Sequence, residues 1–161
     1  MAQTATSSIC SLVLRIFTLV LLLISLIVLT TNTKTIEVSD GSVRLRFSDV
    51  YSYKYVLAAI VFGTAYTLLQ VGLSVFKVIN GSDSNILFDF YGDKIMSYML
   101  ATGAAAGFGV TADMKQLFDA SELYFHDFYD KAYASCSMLF FAFVCTAVLS
   151  VLSSYALPRS T

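Results

Sequence analysis

The sequence predicts an all-α integral membrane protein: a four-helix transmembrane bundle with a small extracellular β-hairpin between its first two helices. Three observations predict it. Of 161 residues, 57% are hydrophobic and 13% charged, with a mean hydropathy of +0.74, whereas soluble domains carry about 45–50% apolar and about 25% charged residues. Four segments reach the roughly 20 mainly apolar residues that a spanning helix needs. Between the first two, a short polar stretch alternates about an Asp-Gly dipeptide, a strong local hairpin signal.

The first apolar segment covers Cys10 to Thr31, helix about 10–31. No basic residue precedes it in Met1 to Ser8, and TTNTK after it has no small-x-small cleavage site, so it is read as a retained span rather than a signal peptide. The loop that follows, hairpin about 34–47, reads TKTIEVSDGSVRLRF. A type I′ turn centred on Asp40 and Gly41 sets Val38 opposite Val43, Glu37 opposite Arg44, and Ile36 opposite Leu45. One face is then apolar (Ile36, Val38, Val43, Leu45) and the other polar (Thr35, Glu37, Arg44, Arg46). An isolated two-stranded hairpin is marginal in water. Its apolar face therefore packs either on its own helix ends or on a partner.

The second span, about 53–79, starts beneath Tyr51, Tyr53 and Tyr55; the third covers about 86–112; the fourth, about 132–157, stops before Pro158. The four spans and their connections read as one membrane domain over residues 1–161. Between the third and fourth lies a second extracellular loop, about 113–131, that is acidic and aromatic. Its Phe118, Tyr124, Phe125, Phe128 and Tyr129 are read, with the three tyrosines above, as an interfacial belt, a recognition surface being the alternative. An even number of spans puts both termini on one side. With the N-terminus cytoplasmic, that face holds Arg15, Lys77, Lys94 and Arg159, and the other holds Lys34, Arg44, Arg46, Lys54, Lys115 and Lys131. That count runs against the positive-inside rule and leaves the topology open.

Composition also excludes functions. A net charge of −1 offers no basic stripe for nucleic acid. Cys10, Cys136 and Cys145 sit in apolar runs without a CxxC, and His126 stands alone, so neither a disulfide framework nor a metal site is expected. No nucleophile–base pair or phosphate loop is present; no enzyme activity and no cofactor are expected.

Polar residues inside the spans carry the functional signal. Arg15 lies about 9 Å into the first helix at 1.5 Å per residue, and Asp93 is similarly placed in the third. An arginine at the centre of a membrane helix costs about 2.5–3.5 kcal/mol on insertion scales. Odd-numbered helices enter from the same face, so the two reach the same depth and a bidentate pair would satisfy both. Separate snorkelling to the headgroups is the alternative. Gln70 is a further candidate for an interhelical hydrogen bond. Gly103 and Gly107 form a GxxxG, Ala105 and Gly109 continue small-xxx-small spacing, and Ala59 with Gly63 repeats it in the second helix. Small residues let backbones approach where lipid supplies no hydrophobic drive, either within the bundle or between chains.

LVLRIF in the first helix and YGDKIMSYMLATGAAAG in the third resemble the Casparian strip membrane protein family, in its CASP-like branch, more distantly MARVEL-like. FYDKAYASCSMLFFAFVCTAVLSVLSSYAL is similar to that family's fourth helix, and the resemblance covers nearly the whole chain from about Ser11. The resemblance maps the family's membrane arginine to Arg15 and its aspartate to Asp93. It implies a plant plasma-membrane protein with cytoplasmic termini that forms homo- and hetero-oligomers with related membrane proteins. The ESLPFFTQF-like signature of strip-forming members is replaced here by SDGSVRLRF, and the second loop has Tyr129 in FYDKA where several relatives have cysteine. What carries over is therefore a CASP-like membrane protein that self-associates; the first reading of its role is a membrane scaffold or domain organiser whose loops face extracellular or wall-associated partners. The competing reading is a channel or transporter with Arg15, Asp93 and Gln70 lining a polar path.

Overall fold

The computed structural model describes residues 2–38, 41–46, 51–80, 86–119 and 126–156. In chain order these form α1 (Ala2–Thr30), β1 (Thr33–Val38), β2 (Gly41–Arg46), α2 (Tyr51–Asn80), α3 (Ile86–Asp119) and α4 (His126–Ala156). All four helices are long and apolar enough to cross a membrane, over Ile9–Thr30, Tyr51–Phe76, Asp89–Leu117 and Asp127–Ser154. Much of the segment expected as a loop at 113–131 is helical: α3 continues to Asp119 and α4 already begins at His126. Hydropathy marks where a helix leaves the hydrocarbon, not where its backbone bonding stops. The residues Met114, Lys115, Gln116 and Leu117 are good helix formers, and Asp127 sits favourably in the first turn of α4.

The helices form a ring in which α1 packs beside α2 and α4, and α3 beside the same two. α1 and α3 therefore face each other across the diagonal. Each helix buries one stripe with alternating steps of three and four residues. In and just beyond α1 it is Arg15, Thr18, Leu22, Ser25, Leu29 and Asn32; in α2 it is Tyr53, Val56, Ile60, Gly63, Thr67 and Gln70. In α3 it is Asp93, Ser97, Leu100, Ala104, Gly107 and Thr111; in α4 it is Phe128, Ala132, Ser135, Leu139, Ala142, Thr146 and Leu149. A spacing of 3.5 residues keeps one narrow seam on the partner and is the repeat of left-handed helix packing. The remaining apolar faces, with Ile16, Phe62, Ile95 and Phe141 among them, point outward where lipid would cover them.

Three aromatics expected in the interfacial belt are instead core. Tyr53, Phe128 and Tyr129 are at most 2% exposed. Phe128 meets Tyr53 edge-on at 6.1 Å and Tyr129 at 6.0 Å. The apolar bodies of the rings pack together, and the two tyrosine hydroxyls find internal partners, Tyr53 in the Thr111 hydroxyl and Tyr129 in the Met114 carbonyl. Tyr51 and Tyr55 are exposed, and Tyr51 carries the Lys54 ammonium over its ring.

β1 and β2 pair antiparallel, with Val38 opposite Gly41, Glu37 opposite Ser42, Ile36 opposite Val43 and Thr35 opposite Arg44. The expected pairs of Glu37 with Arg44 and Val38 with Val43 are thus displaced by two residues. Alternation has a period of two, so the pattern alone does not distinguish registers that differ by two residues. The connection now uses residues 39–40; Gly41 opens β2, and Asp40 lies outside the described residues.

Candidate functional site

Arg15 on α1 and Asp93 on α3 meet inside the bundle. Nη2 of Arg15 donates to Oδ2 of Asp93 at 2.9 Å and Nη1 to Oδ1 at 3.3 Å, with 4% and 1% of the two side chains exposed. The two-pronged geometry matches the planar guanidinium to the carboxylate. Neither residue snorkels. The pair spans the diagonal rather than joining two adjacent helices, so it ties together two helices that are not neighbours in the ring.

α2 completes the site. The Tyr66 hydroxyl donates to Oδ1 of Asp93 at 2.8 Å, and Nε2 of Gln70, one turn further along α2, donates to the Tyr66 oxygen at 2.8 Å. Asp93 thus accepts three hydrogen bonds, two from α1 and one from α2. Desolvating an ion pair is costly unless extra hydrogen bonds satisfy the remaining lone pairs, and Tyr66 supplies one such bond. Nε of Arg15 has no acceptor among the described residues. Asp89, one turn before Asp93, is also buried.

The small residues separate into two faces. A Cβ on Gly103 would lie 2.8 Å from that of Ala59, one on Gly63 would lie 2.9 Å from a Leu100 methyl, and one on Gly107 would run into the sulfur of Cys136. Gly103, Gly107, Ala59 and Gly63 thus let α3 close on α2 and α4. Gly103 and Gly107 face α2 and α4, whereas Gly63 also sits against α1, where a Cβ built on it would lie 3.5 Å from a Leu22 methyl. Ala105 and Gly109 lie on the opposite side of α3, both exposed, with nothing within 4 Å of a Cβ built on Gly109. Two residues turn a helix by about 200°, so a row at 103 and 107 and a row at 105 and 109 cannot share a face.

The family model for the Casparian strip membrane protein domain matches residues 4–145. The chain belongs to the Casparian strip membrane protein family. It is 51% identical over 158 residues to CASP-like protein 4D1 of Ricinus communis, covering 95% of this chain and 94% of that one. It is 50% identical to CASP-like protein 4D1 of Populus trichocarpa, over 92% of this chain and 86% of the relative, and 45% identical to CASP-like protein 4D2 of Arabidopsis thaliana, over 92% and 89%. No solved structure matches this member of the family. It is a four-helix membrane protein with plant relatives whose names are not those of enzymes.

Other polar contacts were missed from sequence. Ser25 and Ser135 exchange hydrogen bonds between α1 and α4, each hydroxyl reaching the other's backbone carbonyl at 2.9 and 3.0 Å. Asn32 donates to the Phe128 carbonyl at 3.0 Å, and the Tyr53 and Thr111 hydroxyls lie 2.8 Å apart. Arg15, Thr18, Ser25 and Asn32 already fall on one seven-residue repeat in the sequence. That polar periodicity within an apolar run was the available signal. Tyr66 was concealed because tyrosine in a membrane helix reads as interfacial, although it lies four residues before Gln70 on the same face.

Proposed function

We propose that this protein is a multi-pass plasma-membrane scaffold, with cytoplasmic termini, that associates with copies of itself and with related chains and so organises a membrane domain. The observation that carries the reading is the outward row Ala101, Ala105 and Gly109. It is left free on α3 while Gly103 and Gly107 are consumed inside the bundle, and it borders a shallow groove lined by Phe108, Phe140 and Phe143. In lipid, association of helices depends on this kind of close approach. The hairpin and the α3–α4 end are the parts available to extracellular or wall-associated partners. Family membership agrees with the reading. The polar groups of the competing channel reading are spent on one another: Arg15 on Asp93, Gln70 on Tyr66, and Tyr66 on Asp93.

Photobleaching step counts of fluorescently tagged protein in its native membrane test it. Replacing Ala105 and Gly109 together by leucine should reduce the oligomer size and speed lateral diffusion while leaving the monomer folded. Unchanged oligomer size and mobility in that double variant would remove the scaffold reading's support. Gly103→Leu is unsuitable for the purpose, because its side chain would strike Ala59 within the same chain.

A further inference from the structure

Gly92 immediately precedes the aspartate of the ion pair. A Cβ there would collide with the Tyr66 hydroxyl and stand 2.9 Å from two carbons of the Tyr66 ring. The ring therefore lies on the bare backbone of α3, and this is the placement from which its hydroxyl reaches Oδ1 of Asp93. Gln70 holds the same hydroxyl from the other side. We propose that Gly92 and Tyr66 act as a pair of positioning residues: the absent side chain at 92 seats the ring, and the ring sets the rotamer of Asp93 to receive Arg15.

Two observations carry this. Tyr66 is the sole group of α2 with a described hydrogen bond to Asp93, so the orientation of that carboxylate about its own axis depends on α2 as well as α1. The Tyr66 ring borders an α2–α3 surface groove with Met96 and Met99, so a side chain at 92 would displace the ring outward into that open space. That displacement breaks the hydrogen bond to Asp93 and strands the Gln70 amide. Gly72, elsewhere on the bundle, has nothing within 4 Å of its Cβ position, so it serves as a control for the general effect of adding a methyl group to a membrane helix.

The test uses the full chain in lipid nanodiscs, with aspartate labelled at its carboxyl carbon and the Asp93 resonance identified by its loss in Asp93→Asn. Tyr66→Phe keeps the ring and should shift that resonance. Gly92→Ala should shift it in the same direction, and combining the two should add little. Thermal unfolding supplies the second readout: Gly92→Ala should lower the midpoint with Tyr66 present and be neutral or better beside Tyr66→Leu, while Gly72→Ala stays neutral in both backgrounds. Should Gly92→Ala alone fail to fold, recovery in the Tyr66→Leu background is the expected result, and no recovery overturns the proposal. An Asp93 resonance unmoved by Tyr66→Phe, or an equal cost of Gly92→Ala in both backgrounds, also overturns it.

Discussion

The two ends of the bundle are fastened by different chemistry. At the end where Arg15 and Asp93 lie, full charges cross the diagonal and three helices share one hydrogen-bonded cluster. At the other end, Asn32 to Phe128, Tyr53 to Thr111, and Ser25 to Ser135 nearer the middle are neutral, pairwise and confined to adjacent helices. Neutral hydroxyl contacts in a membrane average about 0.6 kcal/mol, partly because a separated helix satisfies its own hydroxyls. Here Thr18, Thr64, Thr67, Thr111 and Thr146 each bond the carbonyl four residues back. A guanidinium or carboxylate has no such fallback. The charged end thus specifies the arrangement, while the neutral end adds small increments to an arrangement already specified.

Asp93→Ala should produce the largest break, because it leaves Arg15 buried and unmatched; a loss of about 3–5 kcal/mol is expected for removing one member of a buried pair. Steric-trap or denaturant unfolding in bicelles would measure it. Replacing both members, Arg15→Met with Asp93→Leu, should recover most of the loss, and a double variant as poor as the single would contradict the pairing. Next comes Gly107→Val, which forces a branched side chain into Cys136 and Val56. It should cost about 1–3 kcal/mol as overpacking, seen as a lowered unfolding midpoint. At the neutral end, Ser25→Ala should cost about 0.6 kcal/mol in the same assay, since Ser135 still donates to the residue 25 carbonyl. Tyr55→Phe, which removes a hydrogen bond to Thr102 on the outer surface, should change stability by no more than about 0.5 kcal/mol.

The contrast between ends also explains what could be read in advance. Spans were legible because hydrocarbon thickness demands a length of apolar chain that few soluble helices share. Arg15 and Asp93 were legible because a charge is conspicuous there and depth follows from counting residues. Depth is not azimuth, however: counting turns from each helix end set the two at one level but said nothing of α3 standing opposite α1. The buried stripes hold that missing angle, and Ser25, Ser135 and Asn32 sit on them in small polar side chains that a hydropathy average hides. Helix ends at Asp119 and His126 were missed because composition there follows the interface, while backbone bonding continues past it. The hairpin's antiparallel pairing was legible from alternation about the turn; its register was not, since alternation repeats every two residues.

The separation of Arg15 from Asp93 by 78 positions along the chain has a consequence for biogenesis. Synthesis proceeds from the N-terminus, so α1 enters the bilayer with its arginine unmatched, and stays so while the hairpin and all of α2 are made. Until α3 arrives, the cation must draw on water or headgroups at the bilayer edge. A chain halted before residue 93 carries a lone positive charge on its first helix, a mark by which an unfinished polypeptide differs from a finished one.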